Sequence, residues 1–134
     1  MPLPSAPGPH PGGRRRTPEQ RQGDWAEQRV LRLLQQRGWT MVARNWRCRW
    51  GEMDLLMAKP GRLLMVEVKG RRRCGSDGWG VGAFDHRKRR RLGRTLACWL
   101  AQNPAWQATG VQLVLALVPL APGSGVVRWL SVDH

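Results

Sequence analysis

The sequence predicts a layered α/β domain with the element order α-β-β-β-α-β-β. Two segments, about 18–37 and about 85–102, have the apolar spacing of amphipathic helices. The run at 111–118 is apolar almost throughout, as in a strand buried on both faces. Helices alternating with such strands predict a mixed sheet flanked by helices. The chain has 134 residues, enough for one domain with its own core.

The first helix has clear start and stop signals. Thr17 can cap its N-terminus, Pro18 suits the first helical position, and Gln20 completes a capping box. The apolar spacing continues to Leu34, and Gly38 is a suitable stop. Before this helix, residues 1–16 consist of Pro, Gly, Ser and Arg with almost nothing to bury. We therefore expect a flexible basic tail at 1–16 and a single folded domain at 17–134.

The predicted strands are short apolar runs between turn residues and charged residues. Pro60-Gly61 separates two of these runs and predicts a hairpin. Residues 70–84 are rich in glycine and carry charges of both signs, so a loop is expected there. The strands are predicted at 39–43, 51–58, 62–69, 111–118 and 126–132.

The charge of the chain limits its partners. Lys and Arg number 23 against 9 Asp and Glu, a formal charge of +14, so nucleic acid is the expected partner. No apolar run reaches the length of a membrane span, and no apolar stretch follows the N-terminal arginines as a secretory signal would require. The three cysteines are far apart in the sequence, which favours reduced thiols in a cytoplasmic protein.

Three of the nine acids lie within apolar strands, where a charge needs a partner. They are Glu52 and Asp54 in one strand and Glu67 in the next. Because side chains alternate along a strand, Glu67 and Lys69 share one face, and Glu52 and Asp54 share one face of their own strand.

The hairpin register decides whether these acids meet. If Lys59 pairs with Arg62 across the Pro-Gly turn, Asp54 lies opposite Glu67, and Glu52 lies opposite Lys69. A three-residue loop would instead send Asp54 and Glu67 to opposite faces. A longer loop of even length or a bulge would preserve the predicted parity.

Opposed carboxylates repel unless a cation lies between them, and hard divalent ions prefer such ligands. We therefore predict that Asp54 and Glu67 bind Mg²⁺ or Mn²⁺ and that Lys69 positions a water or stabilises developing charge. This is the chemistry of a phosphodiester hydrolase. The alternative for Glu67 and Lys69 is a cross-strand salt bridge on a solvated face. Glu52 either supports the site or pairs with Lys69 or a loop arginine.

Basic residues flank this predicted site. Arg71, Arg72 and Arg73 directly follow the strand of Glu67 and would lie at its mouth. A second run, 87–91, falls in the first turns of the second helix, where the helix dipole disfavours cations unless an anion binds. We predict phosphate contacts from Arg71, Arg72, Arg73 and, in this run, Lys88. The alternative is a solvated basic face. Tryptophans at 46, 50 and 79 belong either to the core or to base stacking.

The segments Gly51-Glu52-Met53-Asp54-Leu55-Leu56 and Val66-Glu67-Val68-Lys69 with Arg71 resemble the YraN family of predicted endonucleases. That family is similar to archaeal Holliday-junction resolvases of the PD-(D/E)XK superfamily. The resemblance extends to the segments Gly23–Glu27 and Ala43–Cys48 and runs on through Lys88. It implies a restriction-endonuclease-like fold with Glu27, Asp54, Glu67 and Lys69 as the active-site set. Without the resemblance, Glu27 would be an exposed helix charge.

The chain departs from the family pattern at two places. Val111-Gln112-Leu113 stands where the family has Arg-Phe-Asp, and Gly70 replaces the hydroxyl residue that follows the lysine. The expected function is a metal-dependent endonuclease acting on DNA, on branched or single-stranded forms, as a homodimer by analogy with resolvases. The alternatives are a nucleic-acid-binding module without turnover and an interaction protein that docks on a DNA-processing partner.

Overall fold

The structure, a computed structural model, describes residues 16–71, 86–120 and 125–132. Most of the predicted tail lies outside these residues, as do Arg72, Arg73, Trp79 and most of the predicted loop at 70–84. Within the described residues, no helix is long and apolar enough to cross a membrane.

The described residues form two helices and five strands in the predicted order. The sheet order is β1-β2-β3-β4-β5; β3 and β4 are parallel and the other neighbours antiparallel. A 3-10 turn at Pro104–Trp106 follows the second helix. The α/β class with a mixed sheet is confirmed. The elements are α1 (Pro18–Gln36), β1 (Thr40–Cys48), β2 (Gly51–Lys59), β3 (Arg62–Arg71), α2 (His86–Gln102), β4 (Gly110–Pro119) and β5 (Arg128–Ser131).

Helix α1 starts as predicted. Thr17 Oγ1 accepts a hydrogen bond from the Gln20 backbone N–H at 3.1 Å, and the Thr17 N–H donates to Gln20 Oε1 at 2.8 Å. These two bonds form the capping box, which satisfies backbone donors at the helix end. The first helix therefore begins where its local sequence directs it.

Each helix covers one face of the sheet. Ala26, Val30 and Leu34 of α1 pack on a buried cluster that includes Val66 of β3 and Val114 of β4. On the opposite face, α2 packs its apolar side chains on a second buried cluster. That cluster includes Leu92, Trp99, Met53, Leu56, Leu63, Met65, Leu115 and Leu117. The central strands are thus buried on both faces, as the apolar run in β4 predicted.

Strand β1 is longer than predicted, and β5 is shorter. The strand predicted at 39–43 continues to Cys48. The prediction ended before the cationic residues that follow Ala43, but Arg44 and Arg47 form ion pairs with acids from other elements. The backbone between them stays paired with β2, where Arg44 lies opposite Leu55. The strand predicted at 126–132 is confined to Arg128–Ser131.

The β2–β3 hairpin has the predicted register. Lys59 pairs with Arg62 across a two-residue turn, and Gly61 takes a φ of +71°, which glycine adopts without steric cost. The paired residues run back as far as Leu55 and Val66. Asp54 comes next, at the point where the regular pairing ends.

The side-chain alternation of β2 breaks at Asp54. Met53 and Leu56 both lie in the α2-side cluster, although a regular strand would send them to opposite faces, and Leu55 lies in the α1-side cluster. On the neighbouring strand, Asn45 has a left-handed φ of +49°. The irregularity leaves Asp54 at an opening between β2 and β3.

Candidate metal centre

Asp54 occupies the position where a backbone bond to β3 would continue the hairpin. Its Oδ2 accepts a hydrogen bond from the Val68 backbone N–H at 2.8 Å. Burial and the nearby charge of Glu67 raise the pKa of Asp54 to about 7, against the lowering effect of the Val68 N–H. Proximity to Glu27 and Glu52 raises it further. Such a carboxyl group gains most from a nearby cation.

Glu67 is the second acid of the site and is 9% exposed. Its Oε1 lies 3.3 Å from Nζ of Lys88, while its Oε2 is buried and has no hydrogen-bond partner. Burial raises the pKa of Glu67 even though Lys88 and Lys69 act to lower it. An unpaired carboxylate oxygen in a buried position is costly unless a ligand completes it.

Lys69 lies on the same side of β3 as Glu67. Residues 63, 65 and 67 alternate with the α1-side residues Leu64 and Val66, so this side of β3 faces α2. Burial, Lys88 and Arg71 lower the pKa of Lys69, opposed by the two carboxylates. Lowering the pKa of a lysine increases the fraction of neutral amine, which is the form that can accept a proton.

The donor set fits a divalent ion that keeps part of its water shell. Among the residues that the structure describes, no three His, Cys, Asp or Glu side chains come together as a metal-binding group. Mg²⁺, however, is commonly held by one or two carboxylates with water completing its shell. Asp54 and Glu67 supply two such carboxylates, and the orphaned Oε2 of Glu67 is the observation that favours an ion there.

Glu27 is buried, at 7% exposure, rather than an exposed helix charge. Its Oε1 accepts hydrogen bonds from Nε of Arg44 at 2.7 Å and from Nδ2 of Asn45 at 3.0 Å. These contacts connect α1 to the irregular part of β1 opposite Asp54. Glu27 acts on Asp54 through its charge, since it raises the pKa of that carboxyl.

Glu52 does not lie opposite Lys69, because the hairpin pairing ends at Leu55 and Val66. Its Oε2 instead accepts a hydrogen bond from Nε of Arg47 at 2.8 Å. The predicted Glu52–Lys69 pairing was therefore wrong; the partner of Glu52 is an arginine, as the alternative predicted, but it lies in a strand rather than a loop. That arginine comes from β1, whose continuation beyond 43 the local sequence did not indicate.

Two of the predicted phosphate-binding residues are described, and both lie next to the acids. Lys88 reaches from α2 to Glu67, so it belongs to the acidic site itself. Arg71 acts on the charge state of Lys69, and its buried Nε has no hydrogen-bond partner. Arg72 and Arg73 lie outside the described residues. The position of Lys88 depends on how α2 packs, which no local pattern reveals.

Both positions at which the chain departs from the predicted family pattern pack against neighbouring side chains. A Cβ added to Gly70 would come within 2.8 Å of Cδ1 of Leu120, so a larger residue requires Leu120 to move. Leu113, where the resemblance predicts aspartate, packs against the α2-side cluster. It lies two positions along β4 from Leu115, the residue that pairs with Glu67.

The structure also brings together two cysteines that are far apart in the sequence. Cys48 at the end of β1 and Cys98 on α2 share a side-chain hydrogen bond. Burial acts to raise the pKa of Cys48, but hydrogen bonds from the Trp50 backbone, Cys98 and Thr95 leave it lowered. The pKa of Cys98 is raised by burial and by Cys48. Cys74 lies outside the described residues.

Comparison with known proteins identifies relatives across most of the chain. The profile of "Uncharacterised protein family UPF0102" matches residues 26–117, a span that contains Glu27, Asp54, Glu67 and Lys69. The chain is 50% identical over 113 residues to a UPF0102 protein of Prochlorococcus marinus strain MIT 9303, covering 84% of this chain and 90% of that relative.

Similar relatives occur in other bacteria. A UPF0102 protein of Synechococcus sp. strain CC9902 is 48% identical over 118 residues, which is 88% of this chain and 98% of the relative. One of Halorhodospira halophila is 44% identical over 92 residues, covering 69% of this chain and 74% of the relative. The printed names of these relatives state no activity.

Proposed function

This chain belongs to the UPF0102 family, and we propose that it is a metal-dependent endonuclease that hydrolyses phosphodiester bonds in DNA. One observation carries the proposal: Asp54 and Glu67 are both largely buried, burial and the charge of Glu67 raise the pKa of Asp54, and the buried Oε2 of Glu67 has no hydrogen-bond partner. The element order and mixed sheet support a restriction-endonuclease-like architecture and the kinship with Holliday-junction resolvases as part of the same proposal.

Asp54 and Glu67 would hold a single Mg²⁺ or Mn²⁺, with water as the remaining ligands. When bound, such an ion supplies charge stabilisation for a phosphate and lowers the pKa of a water molecule. The Val68 N–H orients the Asp54 carboxyl, leaving its other oxygen available to a ligand. Asp54 and Glu67 come from adjacent antiparallel strands, so the sheet fixes their separation.

Lys69 is the residue that would handle the attacking water. It lies on the α2 side of β3 with Glu67, and its lowered pKa favours a neutral amine that can accept a proton. Glu27 would be a positioning residue. It holds Arg44 and Asn45 beside the irregular part of β1 and adds negative charge near Asp54.

The basic residues around the acids would bind the DNA backbone. Lys88 and Arg71 border the site, and Arg72 and Arg73 follow directly in the sequence. A formal charge of +14 gives the whole protein a strong attraction to a polyanion. Cytoplasmic location and a homodimer that cuts two strands symmetrically complete the proposal.

The test is cleavage of labelled junction, flap, single-stranded and duplex DNA by the purified full chain with Mn²⁺ or with EDTA. We expect cutting with Mn²⁺, none with EDTA, and a loss of about 10²-fold or more in Glu67→Gln and Lys69→Met. Glu19→Gln, an exposed acid in the first turn of α1, is the matched control and should cut like the parent protein.

Two results would decide against the enzyme. Cutting that persists unchanged in Glu67→Gln and Lys69→Met would indicate a contaminating nuclease. DNA binding that survives both substitutions, without cutting on any substrate with Mg²⁺ or Mn²⁺, would instead support the non-catalytic binding module.

A further inference from the structure

Trp50 is a large aromatic side chain left partly exposed beside the acidic site. It occupies the turn between β1 and β2 and is 37% exposed. The guanidinium carbon of Arg49 lies 4.7 Å from the ring centroid, and that of Arg94, on α2, lies 4.8 Å from it. These cation–π contacts fix the orientation of the ring without burying it in either core cluster.

A small open cleft connects Trp50 to the acidic site. The cleft has a volume of about 60 Å³, and its lining includes Trp50, Lys88 and Arg91. Lys88 is also the residue whose Nζ lies 3.3 Å from Glu67 Oε1. Trp50 and the candidate metal centre are therefore separated by one lysine along a continuous surface.

Cations lie in and beside the cleft. Lys88 and Arg91 line it, and Arg49 and Arg94 lie against the Trp50 ring at its edge. Lys88, Arg91 and Arg94 follow one another at three-residue intervals and so lie on the same side of α2. Glu52, the acid in the lining of the cleft, is paired with Arg47. This surface therefore favours an anionic ligand.

We propose that Trp50 stacks on an unpaired base of a DNA strand whose phosphates lie along Arg91 and Arg94, directing that strand to Asp54 and Glu67. The inference rests on the proposed function and specifies its substrate as single-stranded DNA or a single-stranded arm of a branched structure. In a duplex the faces of the bases are stacked on one another, so an exposed indole ring gains stacking energy from an unpaired base. The base takes the place of the guanidinium group on the ring face that it covers, and the displaced group is suited to bind a phosphate that flanks that base.

The experiment measures binding separately from cutting. Fluorescence anisotropy with the full chain in EDTA gives dissociation constants for labelled oligo(dT) and for a duplex of equal length. We expect Trp50→Ala to weaken oligo(dT) binding about tenfold and duplex binding by less than about twofold, and Trp50→Phe to retain most of the affinity. Arg94→Gln should reduce the slope of log Kd against log salt for oligo(dT) by about 0.7.

Trp25→Ala is the matched control. Trp25 is 49% exposed, and the guanidinium carbon of Arg29 lies 5.8 Å from its ring centroid, so it resembles Trp50 in exposure and contact. It belongs to α1, however, on the other face of the sheet. Its loss should leave both affinities unchanged.

Three outcomes would overturn the inference. Unchanged oligo(dT) affinity in Trp50→Ala would remove the stacking role, and an equal loss on duplex and single strand would show a general effect of folding or charge. Tighter binding to oligo(U) than to oligo(dT), sensitive to Trp50, would assign the surface to RNA. None of these depends on catalysis. An absence of metal-dependent cutting would reject the proposed enzyme while leaving the binding result to stand or fall by itself.

Discussion

The carboxylate of Asp54 takes the place of a strand-pairing bond by accepting the backbone N–H of Val68 at 2.8 Å. Counted outward from the hairpin turn, the backbone pairing of β2 with β3 ends at Leu55 and Val66, the pair just before Asp54. A side chain thus completes the backbone bonding of the sheet while its charge stays close to Glu67. The same contact joins the stability of the hairpin to the protonation state of the site.

The raised pKa of Asp54 predicts that stability in EDTA falls as the pH rises from about 4 to about 7. The native carboxyl, with a pKa of about 7, holds its proton over this range, whereas the unfolded carboxyl has its ordinary pKa of 3.8. The unfolded state therefore binds fewer protons, and raising the pH favours unfolding until the native group also ionises. We expect this carboxyl to lower the free energy of unfolding by about 2 kcal/mol over this pH range. That is roughly half of what the full pKa difference would give, because solvent still reaches the group and screens its charge.

The measurement is urea denaturation between pH 5 and pH 8 in EDTA. Asp54→Asn cannot ionise and should show a flatter profile than the parent protein. If the two profiles have the same slope over this range, Asp54 is an ordinary solvated carboxyl and its proposed burial beside Glu67 is wrong.

Lys88 predicts competition between the protein's own cation and a metal ion. Its ammonium group lies 3.3 Å from Glu67 Oε1, so it would repel a metal ion that binds to the same carboxylate. Lys88→Met should therefore bind Mn²⁺ about tenfold more tightly at pH 8, measured by calorimetry, while its DNA affinity in EDTA decreases. Lys59→Met, a lysine beside Trp39 at the hairpin turn, is the control and should leave Mn²⁺ affinity unchanged. Weaker Mn²⁺ binding in Lys88→Met would argue against metal at Glu67.

Replacing Glu27 should lower the stability of the fold while leaving the affinity for metal nearly unchanged. The carboxylate is buried and accepts from both Arg44 and Asn45, so Glu27→Gln should destabilise the fold by about 1–3 kcal/mol in thermal or urea unfolding. Its Mn²⁺ affinity should change by less than about threefold, because its role is to position β1 beside Asp54. A large loss of Mn²⁺ affinity with unchanged stability would make Glu27 a direct ligand instead.

Gly70 predicts a steric conflict with Leu120. A Cβ at this position would lie 2.8 Å from Leu120 Cδ1, so Gly70→Ser should destabilise the protein by about 1–3 kcal/mol. Removing the obstacle in Gly70→Ser with Leu120→Ala should cost less than the sum of the two single changes. Gly93→Ala is the control, because nothing lies within 4 Å of its added Cβ, and it should stabilise α2 by about 0.5–1 kcal/mol. Additive costs in the double variant would contradict the predicted contact.

The parts of the fold that follow from local rules were predictable from the sequence. Pro60-Gly61 sets the hairpin register through the parity of a two-residue turn, and that register holds as far as the pair Leu55 and Val66. The helix start at Thr17 depends on two short-range hydrogen bonds and was equally accessible. Residues close in sequence decide both features.

The rest depended on contacts between distant residues. The continuation of β1 through Arg44 was not predicted, because the acid that pairs with this arginine, Glu27, lies on another element. Glu52 pairs with Arg47 rather than with Lys69, because the β2–β3 pairing ends at Leu55 and does not extend to Glu52. The break in alternation at Asp54 and the reach of Lys88 to Glu67 both require the packed sheet and helices. The sequence therefore indicated candidate site residues, but it did not indicate the contacts that the packed fold gives them.

Strand β1 forms one border of the sheet, so its outer backbone groups have no neighbouring strand within the described residues. The left-handed turn of its backbone at Asn45 and the register shift between Met41 and Ala43 make it a poor template for a further strand. The distortion that places Asn45 opposite Asp54 therefore also makes the outer border of β1 a poor site for edge-to-edge pairing with another chain.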